Sequence, residues 1–259
     1  MIITVAAQKG GVSKTSSAAA ISQALAYKGK NTLLIDTDAQ GSASLIYGAD
    51  EGGTGGTYSL ITGQAPAEDL IQETPAGKII PASPLLDRLD IELNNKPGRD
   101  SFLKAGIEPI KDKFDFILID TAPGLGTCLV QALTACDLVI IPLLCDPQAL
   151  QGLHQVTETI EQVKKYCNPG LKIAAVVLTQ YQARATLTRQ YESLIAEQCQ
   201  AMGLTLANTR IRRAIALQEA QASRESLYTY NAKSNPAIDY LALCEETGLL
   251  KTNIWKEGK

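Results

Sequence analysis

The chain has little of what several classes of enzyme need. Its one histidine, His154, falls in a stretch from Pro147 to Tyr166 that reads as helix, without partners for a metal site or a nucleophilic triad, so a surface or packing role is expected. The six cysteines, at 128, 136, 145, 167, 199 and 244, form no CxxC pair and no regular framework. They read as reduced, mostly buried small apolar residues rather than as metal ligands or disulfide partners. No apolar run approaches the ~20 residues that span a bilayer. No basic stretch and long apolar region precede a small-residue cleavage site, so no signal peptide is expected and a cytoplasmic protein is. The net charge of −3 gives no global positive field to announce nucleic acid. Internal repeats and low-complexity tracts are absent from the sequence as well.

What is present is a soluble globular composition. With 259 residues, 45% of them apolar, the chain can form one α/β domain with a large buried core, and residues 1–259 are expected to be that single domain, with 248–259 a tail that frays. Short runs rich in Ile, Val and Leu occur at Ile2–Ala6, Thr32–Ile35, Phe116–Ile119, Leu138–Pro142 and Ile173–Leu178. Such continuous runs suit strands buried on both faces. Longer amphipathic segments lie between them, at Lys14–Lys28, Gly126–Ala135, Pro147–Tyr166 and Leu187–Met202. Strand alternating with helix predicts a doubly wound, mostly parallel sheet flanked by helices. The region from Thr57 to Asp112 reads as a helical elaboration with one short strand near Lys78–Pro81, and Gly52–Gly56 as a plain loop.

Between the first strand and the first helix stands Gln8-Lys9-Gly10-Gly11-Val12-Ser13-Lys14-Thr15-Ser16. Glycines there let backbone N–H groups turn toward a common centre, and the helix adds its positive N-terminal end. Lys14 brings a point charge and the Thr15 hydroxyl can ligate Mg2+, as in a phosphate-binding loop. A generic loop of this kind has glycine before the lysine, where this chain has Ser13, and a Cβ there is strained if the backbone needs positive φ. Asp120 closes a strand, where a carboxylate can hold the hydration shell of Mg2+ opposite Thr15. Asp36 and Asp38 alternate along an extended segment, so they cannot point the same way. All of these residues emerge at the carboxyl ends of strands, where ligands sit in such sheets.

The string KGGVSKTS resembles the deviant Walker A motif of the ParA/MinD group of P-loop ATPases, KGGVGKTT. Residues 34–43 resemble that group's DxDPQGNA segment, residues 116–126 its Walker B and switch II, and Ile141-Pro142 with Ala149–Leu153 its IPxxxxxxALEGL stretch. The four matches are in order and cover most of the chain. The resemblance implies ATP and Mg2+ as cofactors, with Lys9, Gly10, Gly11, Val12, Ser13, Lys14, Thr15 and Ser16 holding the phosphates. It implies that Asp38 positions the hydrolytic water, and that Thr15 and Asp120, supported by Asp36, hold the metal. Gly124 belongs to a switch that can respond to the γ-phosphate, while Ala122 replaces a usual proline. It further implies that Lys9 reaches across a face-to-face homodimer to the nucleotide of the other subunit, so that hydrolysis separates the two. The related iron–sulfur reductases need a cysteine upstream of the switch, and none precedes Cys128.

Arginines gather in the last third, at 184, 189, 210, 212, 213 and 224. Residues 178–184 resemble the ParA-type LTMxDAR stretch and 211–213 its IPR, which places Arg184 and Arg213 at positions of non-specific double-stranded DNA binding. Arg212 stands in for the proline of a segment that also borders the adenine pocket, and Ala216 stands where a further arginine is usual. Together these readings imply a weak ATPase acting with a ParB-like centromere-binding partner on nucleoid DNA. Two alternatives remain open. One is a MinD-like membrane ATPase, for which the tail from Leu249 to Lys259 carries Leu, Ile, Trp and three lysines but has a thin apolar face. The other is a nucleotide-dependent scaffold that scarcely turns over ATP.

Overall fold

The computed structural model describes residues 1–50, 55–124 and 126–251. The N-terminal half runs β1 (Ile2–Val5), α1 (Lys14–Tyr27), β2 (Thr32–Asp36), α2 (Ser42–Tyr47), α3 (Gly56–Thr62) and α4 (Ala67–Leu70). It continues through β3 (Gln72–Thr74), β4 (Gly77–Ile80), α5 (Leu89–Glu92), α6 (Phe102–Ile107) and β5 (Phe116–Asp120). The C-terminal half adds α7 (Thr127–Ala135), β6 (Leu138–Leu143), α8 (Ala149–Tyr166), β7 (Lys172–Tyr181), α9 (Thr186–Ala201) and β8 (Leu206–Arg212). Three helices close it: α10 (Ile215–Ala222), α11 (Leu227–Asn231) and α12 (Asn235–Glu246).

The strands form one sheet in the order β3-β4-β2-β5-β1-β6-β7-β8. Every pair is parallel except the β3–β4 hairpin at one edge. The expected doubly wound sheet is therefore the observed one. The central strands β2, β5 and β6 are buried along their whole length, which is why they read as unbroken apolar runs. The sequence reading named neither the closing helices α10–α12 nor two edge strands. The edge strand β8, Leu-Ala-Asn-Thr-Arg-Ile-Arg, is half exposed and carries no apolar run, and β3 is a three-residue Gln-Glu-Thr edge. Residues 57–112 fold as expected into short helices around the β3–β4 hairpin. Of the cysteines expected to be buried, Cys136, Cys199 and Cys244 are, whereas Cys128, Cys145 and Cys167 are partly exposed, and none pairs.

Helix α1 sets the site's position. Its Ala18, Ala19, Ala20, Ile21, Ala24 and Leu25 are all at most 2% exposed, because it is covered by the sheet on one side and by α12 on the other, where Ser17 Oγ lies 2.9 Å from Tyr240 Oη. Alanines let the helix axis approach the sheet closely. The helix stops at Gly29, whose φ of +77° lets Lys30 N–H donate back to Leu25 O at 3.1 Å. Such complete burial is rigid: Leu25→Ala there costs about 2–5 kcal/mol. The N-terminus of α1 is thus held fixed at the carboxyl ends of β1, β5 and β2.

Candidate nucleotide site

The loop between β1 and α1 has the backbone that its sequence called for. Gly11 (φ +76°) and Ser13 (φ +67°) are both left-handed, a conformation that turns successive N–H groups into one concavity at the start of a helix. A Cβ built on Gly10 or Gly11 meets nothing within 4 Å, so the space in front of the loop is open. Ser13 does carry a Cβ at positive φ, at a cost of about 1 kcal/mol. The end of β7 holds the strained loop: Thr179 Oγ1 donates to Val12 O at 3.1 Å, and Gln180 Nε2 to Gly11 O at 3.0 Å and Ser13 Oγ at 3.1 Å.

Lys14 curls back over this loop and donates from Nζ to Lys9 O at 3.0 Å. Its burial holds the ammonium pKa below the ordinary lysine value, against which Asp120 and Asp38 pull it up. It is a desolvated cation poised for anionic company. Asp120 ends β5 beside Asp36 of β2, the two being register partners. Both oxygens of Asp120 are buried without a hydrogen-bond donor. Burial, then the neighbouring Asp36, raises its pKa well above the carboxylate range, and the nearby Thr15 hydroxyl offsets this only in part. A buried carboxylate with nothing bonded to it is rare and costly. This arrangement fits Mg2+, which is commonly bound by one or two carboxylates, water and substrate phosphates rather than by a full protein cage. Thr15 and Asp120 would hold it. Among the described residues no group of three His, Cys, Asp or Glu could enclose a metal by itself.

Asp36, expected to support the metal site, stands in register beside Asp120 with its carboxylate already hydrogen-bonded. Its Oδ1 accepts Asp38 N–H at 3.1 Å, and its Oδ2 accepts Ser44 N–H and Oγ–H, both at 2.8 Å. Burial nevertheless lifts its pKa to about 6. The carboxylate is thus committed to Asp38 N–H and to Ser44 in the first turn of α2. Asp38 itself accepts Gln40 N–H at 2.9 Å through Oδ1 and lines the cleft. Gly124, at φ +102°, donates its N–H to Gln8 O at 3.1 Å, tying the switch segment to the loop. Leu125 between the two switch glycines lies outside the described residues, as do Thr252–Lys259 of the tail and residues 51–54 of the glycine-rich loop.

Lys9 points away from the phosphate concavity. Its Nζ lies 2.5 Å from Asp146 Oδ2 in the loop after β6, and Asp146 Oδ1 accepts Gln148 N–H at 3.0 Å. Arg212 also departs from expectation. It is locked onto Asp239 of α12, with Nη2 at 2.6 Å and Nε at 2.9 Å, and does not line the cleft. The residue missing there is replaced by one the sequence could not single out: Arg224, past the end of α10, lines the cleft together with Gln180 and Gln221. Arg184 and Arg213 are exposed and follow the neighbouring strands β7 and β8, with Arg213 N–H donating to Tyr181 O. Arg210 is engaged with Glu192 at 2.7 Å. His154 is exposed on α8.

The loop, α2 and the end of α10 enclose a cleft of about 670 Å3 that contains Gly10, Gly11, Lys14, Thr15, Ser16 and Asp38, a volume suited to a nucleotide-sized ligand. The comparisons with known proteins agree with this geometry. A family model described as an AAA domain matches residues 1–173. The sporulation initiation inhibitor protein Soj of Bacillus subtilis is 36% identical over 248 residues, covering 95% of this chain and 97% of that protein. The chromosome partitioning protein ParA of Myxococcus xanthus is 34% identical, covering 95% of this chain and 87% of its own. A crystal structure described as cobyrinic acid a,c-diamide synthase from Mycobacterium smegmatis, with bound ADP and magnesium, superposes with a TM-score of 0.85 at 30% identity, covering 100% of this chain and 96% of that one.

Proposed function

Because this chain belongs to the ParA/Soj family of P-loop ATPases, we propose that it is an Mg2+-dependent ATP hydrolase whose ATP-bound homodimer binds double-stranded DNA without sequence preference and moves plasmid or chromosome cargo with a ParB-like partner. One observation carries the nucleotide reading: a desolvated Lys14, the cleft-lining Asp38 and the orphaned Asp120 surround one open glycine loop. Bound Mg2+ would neutralise the β- and γ-phosphate oxygens and replace the missing donors of Asp120. Gly10, Gly11 and Ser13 present N–H groups to the phosphates, and Lys14 places its charge on them. Asp38, aimed by Asp36, accepts a hydrogen bond from the water that attacks the γ-phosphate in line. Gly124, bonded to Gln8 of the loop, carries the loss of that phosphate into the switch segment.

The dimer step belongs to Lys9. In the isolated subunit its ammonium is held by Asp146, and in the ATP-bound dimer it leaves Asp146 for the phosphates of the facing subunit. Two negatively charged triphosphates then supply the force that closes the interface, and hydrolysis removes it. The exposed Arg184 and Arg213 supply a cationic edge that two copies double, giving salt-dependent phosphate contacts. A ParB-like protein would stimulate hydrolysis and thereby release the dimer from nucleoid DNA. The test is DNA co-sedimentation with ATP, ADP and no nucleotide. Binding only with ATP, lost in Arg213→Ala, is the expected result, and retention that is equal in all three nucleotide states would overturn the proposal.

A further inference from the structure

Among the described residues three that are not glycine have positive φ: Ser13 (67°), Gln180 (49°) and Arg224 (56°). All three line the same cleft. Each is strained relative to glycine, and residues held in such conformations cluster where a side chain meets a ligand. Ser13 and Gln180 are accounted for by the hydrogen bond between them. Arg224 is not. It occupies the left-handed position that ends α10, where Glu225 N–H donates to Ala220 O at 3.1 Å, a place that glycine fills without strain.

Among the described residues the surroundings of Arg224 hold its stem and bond nothing to its head. Gly48, which ends α2 at φ +65°, gives it room: a Cβ there would lie 3.1 Å from Arg224 Cδ and 3.3 Å from its Cβ. The side chain therefore lies across the end of α2. Among the described residues no carboxylate pairs with its guanidinium, while Arg210 and Arg212 nearby in sequence both have partners. One turn earlier, Gln221 Nε2 donates to Ser16 Oγ at 3.1 Å, so α10 meets the cleft at the residue after Thr15. Lys9 does not line this cleft and is paired with Asp146.

We propose that Arg224 is a nucleotide-binding residue, its guanidinium contacting a phosphate that ATP and ADP share. The arrangement gives the cleft a second cation facing Lys14 across the bound nucleotide, supplied from α10 rather than from the loop. This inference rests on the nucleotide-binding reading above. Because the contact involves the shared part of the ligand, it strengthens binding of both nucleotides equally and leaves the hydrolytic step to Asp38.

The experiment measures dissociation constants of fluorescent ADP and, in an Asp38→Ala background, fluorescent ATP, both with Mg2+. R224Q should weaken both by about five- to tenfold, as expected for loss of a charge-assisted contact, and R224K should recover much of the loss. R224G should weaken binding similarly while its nucleotide-free melting temperature rises by about 2–4 °C as the backbone strain is relieved, which separates lost affinity from lost folding. Unchanged affinity in R224Q overturns the inference, as does a loss confined to ATP. If the wild-type protein binds neither nucleotide, the nucleotide reading itself fails, a result distinct from equal binding by wild type and R224Q.

Discussion

Replacing Asp120 by asparagine should make the empty protein more stable while removing its response to magnesium nucleotide. Both oxygens of Asp120 are buried and unbonded, and its neighbours include Asp36 in register beside it. A buried polar group left without partners costs about 1–3 kcal/mol, more when charged; asparagine keeps the buried polar atoms but sheds the charge and its repulsion with Asp36, which is worth about 2–3 kcal/mol after allowance for the attraction of Lys14. At about 2–4 °C per kcal/mol for a domain of this size, the nucleotide-free Asp120→Asn protein should melt about 4–12 °C higher at pH 8. The pH dependence has a definite sign. The folded pKa of Asp120 is raised, so the proton is retained in the folded state, and the penalty is absent below the ordinary aspartate pKa. It appears as pH rises through the elevated folded value. The two proteins should therefore melt alike near pH 4 and diverge toward pH 8. Saturating Mg·ATP at about 100 times its dissociation constant should add about 2.7 kcal/mol to the wild type and far less to the variant. Scanning calorimetry at both pH values with and without Mg·ATP reads all three effects. A less stable empty variant, or one that keeps the full Mg·ATP increment, refutes the assignment of Asp120 to the metal.

Asp38→Ala should lower phosphate release by at least about 100-fold, the scale of a lost general-base or water-positioning group, with nucleotide affinity within a few-fold of wild type; equal release rates would remove the catalytic role. Asp146→Ala frees Lys9 from its partner at 2.5 Å. Since the pair is only partly buried and worth about 1 kcal/mol at most, and a symmetric dimer frees two such lysines, the variant should dimerise with ATP at up to about 30-fold lower protein concentration by analytical ultracentrifugation, and weaker dimerisation would contradict the holding role. Ser13→Gly trades relief of about 1 kcal/mol of backbone strain against a hydrogen bond of similar size from Gln180. Its melting temperature should therefore barely move. In a Gln180→Ala background, where that bond is already gone, the same change should stabilise by about 2–4 °C, and additivity of the two substitutions would show that the pair is uncoupled.

The sequence by itself determined the sheet and the loop. Strands β2, β5 and β6 are buried on both faces, so apolar side chains fill them up to the aspartates that close β2 and β5, and a run rich in Ile, Leu and Val is visible without coordinates. The loop is legible for a related reason: a concavity of N–H groups needs glycines and a following helix, and that need is local in the chain. Strain at Ser13 could be named in advance as a condition, because a Cβ is costly there if the loop needs positive φ, and the structure meets that condition. Tertiary structure alone decided which charges meet. Asp36 lies two residues from Asp38, and its carboxylate is taken by Asp38 N–H and by Ser44, eight residues on. Arg212 is claimed by Asp239, 27 residues on, and Lys9 by Asp146, 137 residues on. An ionic side chain carries no local signature of its partner, because the pairing depends on which strand ends the sheet order places side by side. For the same reason Arg224 was one arginine among six until the end of α2 fixed where its side chain lies.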